Sequence, residues 1–222
     1  MISSTVRGFV LSSSQIEIVK WLAFALMVMD HVNKALLGGA MPYWTELARV
    51  VFPLFVVALA VSLRDVEPEK GFRVVGRMLL IGAISQPIAS YLWGWSLLNI
   101  MCTLALGTAA SLVWRYMDRF TGVCALVAAC VLGFYCEYGA FGVLLIFAAF
   151  QFVRAPSEWT LVGFGVALIA LSIPNGGLYW AVLTVPLLFI IAEVPVAVPR
   201  ARHVFYWLYP VHLAVIAAVA AL

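Results

Sequence analysis

Apolar residues run through this chain in long unbroken stretches, each closed by a short polar or breaker-rich turn. The stretches lie at about 16–38, 46–63, 72–93, 97–115, 121–136, 139–153, 159–173, 177–192 and 203–221, and most approach the roughly 20 residues that cross a bilayer core. Continuous runs, rather than alternating ten-residue segments, predict helices and not a barrel. The turns carry the expected punctuation: a charged loop from Arg64 to Lys70, a basic turn from Arg115 to Arg119, Arg154 to Glu158, Pro174-Asn175-Gly176-Gly177, and Val194 to Arg202 with two prolines. Runs five and six are short and joined tightly through Cys136-Glu137-Tyr138-Gly139, so about nine spans are expected and eight to ten are allowed. The fold class expected is all-α: a polytopic integral membrane bundle forming one embedded domain over residues 1–222.

Composition sharpens this. The chain is 65% hydrophobic and 10% charged, against about half and a quarter in soluble domains, which excludes a water-soluble globule. A net charge of +3 is too small to suggest nucleic acid. Lysine and arginine instead divide by side. Arg64, Lys70, Arg73, Arg77, Arg115, Arg119, Arg154, Arg200 and Arg202 flank the loops after spans two, four, six and eight, and only Lys34 and Arg49 lie opposite. Basic loops stay cytoplasmic, so the amino terminus is expected inside and the carboxyl terminus outside. The segment Met1 to Arg7 lacks the apolar core of a signal peptide, and the first span is expected to direct insertion. Cys102, Cys124, Cys130 and Cys136 lie in or beside apolar runs without CxxC spacing and read as inert thiols.

Polar groups at membrane depth are costly and mark function or pairing. The first span holds Glu17, Lys20, Asp30, His31, Asn33 and Lys34. Eleven residues separate Lys20 from His31, which puts them within about 20° on one helix face and about 16 Å apart along it. Lys20 then sits near the cytoplasmic interface, either snorkelling or binding an anion, with a titratable imidazole deeper in. Adjacent helical residues point about 100° apart, so Asp30 either serves His31 or pairs with Lys34 or with Arg49. Pro53 is expected to loosen the second helix beside Arg49. Arg77 and Gln86 fall on opposite sides of the third span. Asn99 opens the fourth, where a helix cap is one reading. His212 follows Pro210 in the last span. No HExxH, histidine–cysteine set, phosphate loop or GxSxG is present, so neither a metal site nor a nucleotide triphosphatase is expected.

With Lys20-x10-His31, Asp30-His31-Val32-Asn33 and Arg49-x2-Phe52-Pro53-Leu54-Phe55 in place, the chain resembles the TraX family of conjugative-pilin acetyltransferases. Arg77-x8-Gln86, Asn99-Ile100, Tyr138-Gly139 with Gly142, and Tyr209 to Val215 are similar to that family's later blocks, so the resemblance covers almost the whole chain. The basic residue and histidine of span one also resemble the wider class of transmembrane acyltransferases, including the acyltransferase-three and heparan glucosaminide N-acetyltransferase families.

The resemblance implies transfer of acetyl from acetyl-CoA to the amino-terminal amine of a pilin-like membrane peptide. His31 would be the general base, suited by its imidazole to take the amine's proton. Asp30 would orient or balance it, directly or through Arg49 or Asn33. Lys20 and Arg77 would hold the CoA phosphates, Arg49 or Asn99 would stabilise the oxyanion, and Gln86 completes the cofactor-side set. Direct attack and an acetyl-histidine intermediate both stay open, as does the acceptor: pilin, another peptide or a sugar. The rival reading of the same residues is a small proton-coupled transporter using Asp30, His31 and Glu137 as relay groups.

Overall fold

The computed structural model describes residues 11–94, 97–177, 179–201 and 204–222; Arg202 and the amino-terminal segment from Met1 to Arg7 lie outside them. Among the described residues the chain is all-helical, with one isolated bridge between Leu98 and Cys136. The helices are α1 (Ser13–Leu36), α2 (Pro42–Leu47), α3 (Val51–Ser62), α4 (Pro68–Trp93), α5 (Ile100–Tyr116), α6 (Arg119–Gly133), α7 (Gly139–Arg154), α8 (Glu158–Ala170), α9 (Thr184–Ala192) and α10 (Val204–Ala220). Single 3-10 segments, Ala48–Val50 and Tyr179–Leu183, lead into α3 and α9. Among the described residues, two stretches are long and apolar enough to cross a membrane by length and composition, Pro42–Ser62 and Pro68–Trp93. Helix α1 is as long but carries Glu17, Lys20, Asp30 and Lys34.

Four of the starts are capped by a side chain. Ser12 and Gln15 form a reciprocal capping box at α1, Asn99 and Asp118 accept the free N–H groups of α5 and α6, and Ser157 with Thr160 caps α8. The second apolar run is interrupted at Arg49. Its break is the 3-10 turn Ala48–Val50. Pro53 is the third residue of α3 and lies four residues after Arg49 in that turn; it has no N–H to give the Arg49 carbonyl, which accords with the loosening expected of it.

Helix α3 is buried on nearly every side, from Val51 through Ala60, as an apolar helix without a polar face must be. It packs on α1 and α7, while α7 also touches α5, α6 and α8. Phe52, Leu54, Leu145, Ile146, Phe152, Phe164 and Leu168 form the solid half of the core. Two glycines set the spacing there. A Cβ at Gly107 would lie 2.6 Å from Ile146, and one at Gly142 would lie 2.7 Å from Thr103 and 2.9 Å from Tyr138. The outward faces remain apolar, with Leu80, Val127, Val166, Ile190 and Val215 all exposed.

Successive helices reverse direction. Arg115 and Tyr116 at the end of α5 donate to backbone carbonyls of the loop after α3. At that same end Gln15 and Glu17 bind the segment between α9 and α10. The opposite end gathers the turn after α1, the loop before α5, the α6–α7 turn and Asn175.

Candidate functional site

Helices α1, α3, α4, α5 and α10 do not close on one another. They enclose a cavity of about 710 Å³, lined along α1 from Lys20 through Asp30 and His31 to Lys34. That stretch of helix rises about 21 Å, fourteen residues at 1.5 Å each. Apolar side chains, among them Met27, Leu59, Met78 and Leu104, form the walls. Arg49, Glu137, Tyr138 and Asn175 crowd the Lys34 end.

His31 sits between these ends and is held on two sides. Its ring lies 5.4 Å from that of Trp93 at the end of α4. Its Nδ1 is 2.8 Å from Nε2 of His212 on α10, 181 residues later. The two imidazole planes differ by 11° with centroids 5.1 Å apart. At that nitrogen separation the rings lie edge to edge and nearly coplanar, so a lone pair on one points along an N–H of the other. Nδ1 of His212 is in turn 2.8 Å from the Leu208 carbonyl oxygen. His31 lines the cavity, and His212 is buried behind it.

Asp30 does not serve His31. Lys34 Nζ, one turn on, donates to Asp30 Oδ2, the pairing that i,i+4 spacing favours. Asp30 Oδ1 is buried with no partner among the described residues, as are Arg49 Nε and Asn175 Nδ2. Arg49 Nη1 donates to Asn175 Oδ1 at 3.0 Å. This end therefore holds an acceptor and two donors left open, in a position where buried polar groups are normally satisfied.

Glu137 and Tyr138 reach the cavity through backbone work in the α6–α7 turn. Leu98 N–H donates to the Tyr135 carbonyl and Glu137 N–H to the Leu98 carbonyl, both at 2.9 Å, and Thr103 Oγ1 donates to the Glu137 carbonyl. Tyr138 holds a left-handed φ of 66°, sparsely populated for a residue with a Cβ. Its ring stacks on Phe52 at 4.4 Å.

The expected residues thus divide. Lys20, Asp30, His31 and Arg49 line the cavity; Asn33, Arg77, Gln86 and Asn99 do not. Asn33 is fully buried and ties α1 to α2: its Nδ2 donates to the Met41 carbonyl and Thr45 Oγ1, and its Oδ1 accepts from Met41 N. Gln86 Oε1 accepts from Asn99 N, and Asn99 Nδ2 donates to the Gly82 carbonyl. Those two side chains brace α4 against the start of α5, which leaves the cofactor roles expected of them without a contact. Arg77 is exposed on α4, with its charge in reach of Tyr206 on the cavity wall. Lys20 is paired with Glu17 at 2.9 Å and lies over the Phe205 ring. Asn175 and Trp93 were not expected. The first sat in a proline–glycine turn that reads as punctuation, the second at a helix end where tryptophan reads as an interfacial anchor. Among the described residues no group of three metal-ligating side chains forms.

The fold and cavity define a class: a helical bundle of apolar exterior that keeps ionisable side chains around an internal chamber. The profile of the TraX protein family matches residues 15–220, nearly the whole chain, and the chain belongs to that family. No curated protein and no solved structure matches it.

Proposed function

We propose that the chain is an integral membrane acetyltransferase that carries an acetyl group from acetyl-CoA to the amino-terminal amine of a pilin-like peptide. The supporting observation is His31, set by two ring contacts in the wall of a cavity that continues along α1 to charged groups on both sides of it. Its volume of 710 Å³ falls within the roughly 300–1,000 Å³ of small-molecule sites. Family membership supports the pilin and conjugation context.

The apolar exterior supports a bundle of nine passes in the bacterial inner membrane, since soluble monomers rarely expose continuous apolar surface beyond a few hundred Å². The amino terminus would face the cytoplasm, with Lys20 at that end of the cavity. The shorter passes fit a bilayer through local thinning and flanking anchors.

The residues present fit the donor. Lys20 and the neighbouring basic loops offer cations for phosphates, and the Met27, Leu59, Met78 and Leu104 wall suits an extended, weakly polar arm. Bound acetyl-CoA would supply an activated thioester. Asp30 Oδ1 would accept from the acceptor amine, and Arg49 Nε and Asn175 Nδ2 would donate to the first carbonyls of its peptide or to the developing oxyanion. His31 takes the proton from the amine as the nitrogen bonds the acyl carbon, and returns it to sulfur as the C–S bond breaks.

The test is thiol release by purified protein in detergent, given acetyl-CoA and a synthetic peptide with a free amino terminus. The native protein should acetylate that peptide and not its N-formylated form. His31→Ala should lower turnover at least about 100-fold while CoA binding persists. Undiminished turnover in that variant removes His31 from the mechanism. Proton-coupled uptake into vesicles without thioester consumption would establish the transporter reading instead.

A further inference from the structure

We propose that His212 is a positioning residue that fixes the tautomer of His31 and so makes its Nε2 the basic nitrogen. The assignment follows from one acceptor that has no alternative role. The Leu208 carbonyl oxygen can only accept, so Nδ1 of His212, 2.8 Å away, carries a hydrogen. A neutral His212 then has a bare Nε2. Nδ1 of His31 lies 2.8 Å from it and must donate, which leaves Nε2 of a neutral His31 unprotonated. The carbonyl thus sets His212, and His212 sets His31.

Three further features hold the arrangement. The near-coplanarity of the rings, 11° between planes, aims the lone pair along the N–H bond. His212 is 7% exposed, with Phe24 and Tyr209 against its faces and edges, so solvent does not compete for its nitrogens. Pro210, inside α10, has no N–H and cannot make the usual bond to the Tyr206 carbonyl. That loosening falls beside the turn of α10 where the His212 side chain bonds a carbonyl four residues back.

His212 does not line the cavity and touches no reacting atom, so it acts only through His31. When His31 takes a proton on Nε2, its Nδ1–H keeps the same bond to His212 Nε2 and the imidazolium gains a fixed partner. A carboxylate usually performs this orienting task for a catalytic histidine. Here the carboxylate next in sequence, Asp30, is engaged by Lys34, and a second imidazole anchored to a backbone carbonyl takes its place.

The experiment is nitrogen-15 magic-angle-spinning NMR on histidine-labelled full-length protein in lipid, at a pH where the imidazoles are neutral. The chain has three histidines, and a difference spectrum against His31→Gln assigns the His31 pair. Native protein should show His31 Nδ1 as the protonated, pyrrole-type nitrogen and Nε2 as the bare one. In His212→Ala the Nε2–H form should appear. His212→Gln, whose amide oxygen can accept at the position of Nε2, should restore the Nδ1–H form. A native His31 protonated at Nε2, or an unchanged tautomer in His212→Ala, overturns the proposal.

The kinetic arm rests on the acetyltransferase reading. Turnover should fall about 100-fold or more in His212→Ala with the acetyl-CoA KM unchanged, and recover in large part in His212→Gln. Equal turnover in both variants, or a loss explained by KM alone, also overturns it. Native protein that lacks acetyl transfer counts against the enzymatic reading, and the tautomer measurement then decides this proposal by itself.

Discussion

Helix α1 carries two lysine–carboxylate pairs, one at each end of the cavity, and they are built differently. At the Lys20 end both oxygens of Glu17 are occupied: Oε1 accepts from Lys20 Nζ at 2.9 Å and Oε2 from Ala201 N at 3.3 Å. The Glu17 side chain is 3% exposed. At the other end Lys34 takes one oxygen of Asp30, and Asp30 Oδ1 is buried with nothing to accept from. A buried polar atom left without a partner costs about 1–3 kcal/mol. A fold that satisfies one carboxylate twice and the other once has put that cost where a ligand can remove it. The closed pair fastens α1 to the segment before α10; the open pair waits for a donor.

Among changes to these carboxylates, the largest effect should come from Asp30→Asn. The change keeps the volume and an acceptor for Lys34, and removes the charged acceptor proposed for the substrate amine. A hydrogen bond to a charged group contributes about 1.5–3 kcal/mol, so the KM for the peptide should rise about 10- to 100-fold while that for acetyl-CoA stays where it is. Initial rates with each substrate varied in turn measure both. Parallel rises in the two constants would mean that Asp30 supports the whole cavity and not its acceptor end.

How far the sequence foretold these differences depends on what each residue's partner is. The helices are legible because apolar runs and breaker turns leave them no other reading. Two runs hid a break: the second is interrupted by the 3-10 turn Ala48–Val50 and the eighth opens with the 3-10 segment Tyr179–Leu183. The Asp30–Lys34 pair was open to view in its i,i+4 spacing. His31 stood out as an imidazole among apolar residues, but its orienting group did not. That group is 181 residues away and is itself oriented by a main-chain carbonyl, which no side-chain pattern records. Asn33, Gln86 and Asn99 show the converse. A polar side chain in an apolar run looks the same whether it binds a substrate or braces a helix joint, and all three brace.

Glu17→Gln sharpens the comparison from its closed end. The amide still accepts from Lys20, gives up the Ala201 N–H contact and removes the compensating charge. Lys20, which lines the cavity, then presents an uncompensated cation to it. A partly exposed pair of this kind is worth about 1 kcal/mol or less, so the acetyl-CoA KM should fall by a factor of about 3 to 5, with the peptide KM unchanged. A rise in the acetyl-CoA KM would show instead that Glu17 holds Lys20 in its binding position, and that this end too is functional as a pair.

The smallest effect is expected at a third carboxylate, outside the cavity, which separates closure from function. Asp118 caps α6 on an exposed turn, with Oδ1 accepting from Thr121 N at 3.0 Å and Oδ2 from Thr121 Oγ1 at 2.6 Å. Like Glu17 it has both oxygens occupied; unlike Asp30 it does not line the cavity. The Thr121 hydroxyl bond, followed by the backbone bond, holds its carboxyl below the ordinary aspartate range. A carboxyl lowered on folding adds stability that is fully present above its unfolded pKa and is lost as the pH falls through its folded pKa. Asp118→Ala should therefore lower Tm slightly at neutral pH, lose that difference in acid, and leave both substrate constants untouched. Thermal scans of the two proteins across the acid range measure it. A difference that persists once the native carboxyl is protonated would assign the contribution to the shape of the cap and not to its charge, and closure of a carboxylate would then cease to be the property that distinguishes Glu17 from Asp30.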